Sequence, residues 1–172
     1  MGRKRTIDRD ALMDGVESVA RREGVSGLSI DALAKEVGIS KSSVVYDCGS
    51  KAGLLAAFTR HKIGQYRERF GDALQAHAGQ PNAWLRAMID MGREGPSDDD
   101  VAITMLISAS MGEHAECREL MRASLAEDAR RVAADAEDQG KMLQLLLAVH
   151  GLFFLECFGL QRFDEITRQE LL

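Results

Sequence analysis

Ser29 to Lys51 reads S-I-D-A-L-A-K-E-V-G-I-S-K-S-S-V-V-Y-D-C-G-S-K. The spacing predicts two short helices joined by a tight turn. Ser29 is a good N-cap, because its hydroxyl can accept from a free amide of the first turn. Ile30, Leu33, Ala34 and Val37 fall on one face at helical spacing. Gly38 ends that helix, where a left-handed residue without Cβ is cheapest. Ile39 packs back under the turn, and Ser40 supplies a second N-cap. The second helix, 41–47, buries Val44, with Val45 as a second candidate for burial, and carries Lys41, Ser42 and Ser43 in its first turn.

This is the helix-turn-helix pattern. On spacing alone, two core helices of any α-domain fit equally well, so the flanks decide. A preceding helix ends in R-R-E-G at 21–24, and S-K-A-G-L-L follows at 50–55. With these flanks, residues 7–62 resemble the tetracycline-repressor family. The resemblance implies that the second helix is a recognition helix. It also implies that Lys51 starts a long fourth helix, whose N-terminus and lysine meet a DNA phosphate. Two positions depart from the family pattern. An aromatic residue usually stands at the place of Val45 and a phenylalanine at the place of Cys48. Here an aromatic comes one place later, as Tyr46.

Composition agrees with an all-α chain. Aromatic residues make up 5% of the 172 residues and there are two prolines, while helix formers are abundant. No run alternates with period two, so no sheet is expected. The net charge of −5 is unevenly spread. Residues 1–62 hold 11 Lys/Arg against 8 Asp/Glu, and the remainder holds 11 against 19. A basic head on an acidic body suits contact with a polyanion at one end. A non-specific nucleic-acid coat would be basic throughout. Three scattered cysteines and no leader sequence point to a reducing cytoplasm. The longest apolar run, 142–160, contains Gln144, His150 and Glu156, and reads as a buried helix rather than a membrane span.

The chain divides into a head, 1–50, continuing into the start of the fourth helix to about 62, and a sensing and dimerising body, 51–172. The first helix spans 8–23, with Gly24 as its stop. The fourth, 51–78, would reach roughly 40 Å at 1.5 Å per residue. That is long enough to link head to body. Further helices are expected at 82–93, 98–110, 115–138 and 141–158, with a short last one within 162–172. Met111-Gly112 and Gly140 are read as breaks. The apolar 98–110 helix is expected in the middle of a domain.

No catalytic motif occurs: G-x-S-x-G, the P-loop and H-E-x-x-H are all absent. His114 and Cys117 share a helix face, but two donors do not make a metal site. Neither metal nor cofactor is expected. DNA contact is assigned to the basic tail Arg3, Lys4 and Arg5, to Ser29, Ser40, Lys41, Ser42 and Ser43, and to Tyr46 and Lys51. Lys41 can meet a guanine edge or a phosphate. Ser29 and Lys51 sit at helix starts, where phosphates bind readily.

Methionines cluster in the body and suit an adaptable apolar pocket. Trp84, Met88, Met105, Met121 and Phe154 are its candidate lining, for an apolar or amphipathic effector. The family resemblance implies dimers joined through the last long helices. Leu143, Leu147, His150, Phe154 and Phe158 are the outward candidates. The reading is an all-α transcriptional regulator, a ligand-responsive repressor that binds a palindromic operator as a homodimer. The alternative is an all-α ligand- or protein-binding module that has lost specific DNA binding.

Overall fold

The computed structural model describes residues 8–172, and among these every regular element is an α-helix. Arg3, Lys4 and Arg5 lie outside the described residues. The helices are α1 Arg9–Gly27, α2 Ile30–Val37, α3 Lys41–Cys48, α4 Lys51–Ala76 and α5 Ala83–Arg93. They continue with α6 Asp98–Glu113, α7 Ala115–Ala134, α8 Gln139–Cys157 and α9 Glu165–Leu171. Two compact units result. One holds the described residues up to His61 together with Ala102–Arg118; the other holds Lys62–Val101 and Glu119–Leu172.

In the first unit α1 is the platform. Leu12, Met13, Val16 and Val19 are buried along one side of it, and Leu33, Ala34 and Val44 are buried from the two following helices. Polar clasps hold α2 to α1: the Ser18 hydroxyl donates to Glu36 at 2.6 Å, and Arg22 pairs with Glu36 at 2.9 Å. Arg22 first and Ser18 second hold the Glu36 carboxyl below its ordinary pKa. The early part of α4 contributes Leu54, Leu55, Ala56 and Phe58 to the same buried set. Arg60 of α4 reaches Glu116 of α7 at 3.0 Å.

The second unit is built around Phe70, Leu85, Ala87, Met88, Val132 and Leu146, supplied by α4, α5, α7 and α8. Phe70 is 2% exposed. Its ring lies 4.5 Å from that of Trp84 and 6.0 Å from that of Tyr66, centroid to centroid. At the C-terminus, Arg168 donates to buried Glu156 at 2.5 Å and to the Phe163 carbonyl at 3.1 Å, tying α9 to the end of α8.

Several helix ends differ from the sequence expectation; α4, for one, stops at Ala76. Gly24 does break the helical conformation, with φ 71°, but helix resumes and ends only at Gly27. Helix α6 runs through Met111-Gly112 to Glu113. A glycine inside a helix costs only about 1 kcal/mol, which packing overrides. Helix α7 stops earlier than expected, at Ala134. Helix α8 starts before Gly140, because the Asp138 carboxylate accepts from the Lys141 amide at 3.1 Å and sets the N-terminus there.

Helix α6 is also less enclosed than its all-round apolarity suggests. Leu106 and Ile107 are buried while Met105 is 43% exposed. Helix α8 is likewise covered on one side only. It is the one described helix long and apolar enough to cross a membrane, and 28% of that stretch is buried within the chain.

Truncating Phe70 would leave a cavity at the centre of the second unit. Phe70→Ala is expected to cost about 3–5 kcal/mol of stability, read as a lower midpoint in thermal or urea unfolding followed by circular dichroism.

Candidate functional site

The two short helices of the first unit are set by local chemistry. Ser29 accepts from the Ala32 amide at 3.1 Å, which starts α2. Gly38, at φ 69° and ψ 33°, closes it in the left-handed conformation. Ser40 accepts from the Ser43 amide at 3.1 Å, which starts α3 within three residues of the end of α2. Val44 is fully buried and fixes the rotation of α3.

With Val44 inward, Lys41, Ser42, Val45 and Tyr46 face solvent. Tyr46 is 80% exposed, the highest value among the exposed large hydrophobic residues. Lys41 pairs with Asp31 at 2.8 Å, and both are well exposed. In water such a pair is worth at most about 1 kcal/mol, so a phosphate or base edge can exchange for Asp31. Ser40 holds the hydroxyls of Ser42 and Ser43 at 2.9 and 2.7 Å. These contacts pre-order the first turn of α3, and Ser43 is half-buried there.

The exit from α3 is equally constrained. Gly49 accepts no side chain easily at its φ of 72°, and Ser50 then accepts from the Gly53 amide at 3.1 Å. Lys51 is exposed in the first turn of α4. A Cβ on Gly53 would stand 2.0 Å from the Cys48 carbonyl oxygen. Glycine therefore lets the first turn of α4 lie directly against the last turn of α3. Arg9 meets Asp47 at 3.5 Å beside the same turn. Burial first, then the Asp47 charge, raises the Cys48 thiol to about 11, so it stays protonated near neutrality. Burial likewise raises the Cys117 thiol. Among the described residues no cluster of three or more His, Cys, Asp or Glu could hold a metal.

The second unit carries a charged cluster that sequence inspection missed. Asp128 of α7 is 3% exposed. Its Oδ1 accepts from Arg67 Nη1 at 2.6 Å and from Trp84 Nε1 at 3.3 Å. Arg67 also donates to the carbonyl and hydroxyl of Ser124, at 3.0 and 3.1 Å. Its Cζ lies 5.7 Å from the Tyr66 ring centroid and 5.6 Å from that of Trp84. Arg131 approaches Trp84 too, at 5.4 Å. Burial, and after it the Asp128 charge, pushes the Tyr66 hydroxyl up to about 12. Burial lowers the His150 pKa against the opposing pull of Asp128, which favours a neutral imidazole.

Of the candidate pocket residues, Met88 is buried in the second unit's core, with Trp84 packed against it. Met121 and Phe154 are half-buried in the same unit, and Met105 belongs to the first unit. Phe154 meets Phe153 edge-on at 5.9 Å and stacks on Phe158, just past the end of α8, at 6.1 Å, centroid to centroid. Of the outward candidates on α8, Leu143 packs on the core cluster, His150 is half-buried, and Leu147 and Phe158 are 68% and 41% exposed. Leu155 and Leu160 add 40% and 72% exposed side chains that were not singled out beforehand.

Comparison with known proteins agrees with this architecture. No curated protein matches the sequence. A transcriptional regulator from Rhodococcus sp. Rha1 shares the fold with a TM-score of 0.77 at 18% identity, over 96% of this chain and 91% of that one. A TetR transcription regulator from Haloarcula marismortui gives 0.74 at 17% identity, over 94% and 92%. A protein from Saccharomonospora viridis, solved in complex with choline, gives 0.71 at 17% identity, over 95% and 92%. Residues 82–172, more than half of the chain, match the profile of the tetracyclin repressor-like C-terminal domain. The chain therefore belongs to the tetracycline-repressor family and is a DNA-binding transcriptional regulator.

Proposed function

We propose that the protein is a cytoplasmic, ligand-responsive repressor that binds a palindromic operator as a homodimer. The observation that carries the DNA reading is the outward side of α3. It offers Lys41, Ser42 and an 80% exposed Tyr46 on a helix whose rotation buried Val44 locks. In this reading the first turn of α3 enters the major groove. Lys41, Ser42 and Ser43 meet base edges or phosphates there, and Tyr46 donates its hydroxyl to a phosphate. Ser29 and Ser40 stand at helix starts near the backbone, and Lys51 meets a phosphate at the start of α4. The basic tail, Arg3 to Arg5, follows a neighbouring groove.

Dimerisation is supported by α8. Leu147, Gly151 and Leu155 recur at four-residue spacing, and beyond its chain neighbours and the helix's own backbone nothing lies within 4 Å of a Cβ built on Gly151. With Leu147 and Leu155 68% and 40% exposed, the stripe has room and reason for a second helix. Two heads about 34–36 Å apart would then grip successive major grooves. The effector reading draws on the relative that holds choline and on half-buried Trp84, Met121 and Phe154. Helix α4 runs unbroken from Lys51 to Ala76, so a ligand that shifts it would alter the DNA-reading end. A coupling of about 1–3 kcal/mol suffices for a 5–150-fold change in affinity.

A gel-shift salt series on the intergenic DNA beside its own gene tests the DNA reading. Lys51→Ala should weaken binding to all sequences alike and reduce the salt slope by about 1. Gly53→Ala should lower operator affinity at least tenfold while the helical circular dichroism stays intact, because the new Cβ must push α3 away from α4. No binding at low salt would favour an all-α module without DNA recognition. Light scattering on a sizing column tests the dimer: wild type should run at twice the chain mass and Leu147→Glu as a monomer. A monomeric wild type would remove the palindrome from the reading.

A further inference from the structure

We propose that Tyr66, Trp84 and Asp128 form a binding site for an organic cation, and that the chain's own Arg67 occupies it as an internal competitor. The inference rests on the ligand-responsive reading and names the chemical class of its effector.

The residues define that class by charge. Asp128 is 3% exposed, and the Arg67 guanidinium meets it at 2.6 Å. If Arg67 swings away, the carboxylate is left sealed with the Trp84 indole N–H as the hydrogen bond that stays. A buried carboxylate without a countercharge is strongly disfavoured. A neutral or anionic compound that displaced Arg67 would strand it. A compound carrying its own positive charge replaces what it removes. His150 does not fill this role, since burial favours its neutral form.

The aromatic walls select the same chemistry. Ring faces attract cations electrostatically. The Arg67 Cζ lies 5.7 and 5.6 Å from the Tyr66 and Trp84 centroids, and Arg131 is drawn to Trp84 at 5.4 Å. Two rings and one carboxylate converge on one guanidinium, an arrangement that fits an alkylguanidinium or a quaternary ammonium equally well. The occupant is also within reach of solvent. The Arg67 side chain is 26% exposed, against 4% for that of Asp128. It hangs from α4 on a flexible stem, so it can leave without unfolding the helix.

Trp84 is the only tryptophan in the chain, so its fluorescence reports the site directly. The experiment titrates the full-length protein, without DNA, with butylguanidinium and with butylurea, its uncharged isostere. Tetraethylammonium serves as a second cation. Wild type should show a saturable change with both cations and none with butylurea. Arg67→Met should bind the cations at least tenfold more tightly, because the internal competitor is gone. Arg67→Lys, which keeps a charge but loses the planar fork, should fall between the two and serves if Arg67→Met does not fold. Asp128→Asn should bind them at least tenfold more weakly. The proposal is overturned if folded Arg67→Met or Arg67→Lys gains no affinity for cations, or if butylurea matches butylguanidinium. Since no DNA is present, failure here leaves operator binding to be judged by gel shift. A protein that fails the gel shift can still show the cation response.

Discussion

Helices of eight residues do not stand alone in water. Nucleating a helix fixes several residues for one hydrogen bond, so isolated segments of this length are marginal whatever their sequence. Helices α2 and α3 are both this short, and they exist because Leu33, Ala34 and Val44 are buried with the inner face of α1. That constraint has a functional side. A short helix anchored by one buried valine has its rotation chosen for it, and the side chains opposite Val44 are then the ones left outside. The exposure of Tyr46 and Lys41 is thus a consequence of the packing that makes α3 a helix at all.

The second unit solves a different problem. Beside its apolar core it buries two carboxylates, Glu156 near the C-terminus and Asp128, which is almost completely withdrawn from water. Such a group stays ionised only with a cation and hydrogen bonds to replace its hydration. Arg67 supplies the charge, Trp84 a donor, and the Ser124 carbonyl and hydroxyl hold the guanidinium in plane. Removing one member of a buried pair typically costs about 3–5 kcal/mol. The lower end applies here, because Arg67 keeps some contact with solvent. The cluster joins α4, α5 and α7 through directional contacts, where apolar packing alone would leave their register loosely defined.

What was legible in the sequence was local. Ser29, Gly38 and Ser40 act within four residues of themselves, and each carries out the role its type and position predict. The buried face of α2 and Val44 follow from helical spacing alone. Glycine taken by itself misled, at Met111-Gly112 and Gly140, because a cap or a packed face outweighs about 1 kcal/mol of propensity. Long-range partners were not legible. Arg67 and Asp128 are 61 residues apart, and nothing in either local pattern marks one for the other. Nothing in the residues beside Gly53 marks its role. Its role depends on the Cys48 carbonyl, which the turn at Gly49 and Ser50 brings beneath it.

Helix α8 carries the same reasoning one step further. Its apolarity reads as deep burial, yet one chain covers only its inner side, where Leu146, Val149 and Leu152 are buried. Glu156 lies on that inner side as well, paired with Arg168, so one of the three polar residues that speak against a membrane span is satisfied within the fold. The opposite side presents Leu147, Leu155 and Phe158 to water. Exposed leucines scattered singly need no explanation, but a run of them at helical spacing does. A stripe interrupted only by Gly151 lets another backbone approach closely. Periodicity alone could not divide these residues between an inner and an outer face, because both faces are apolar. Only the position of α8 against α5 and the buried cluster separates the two.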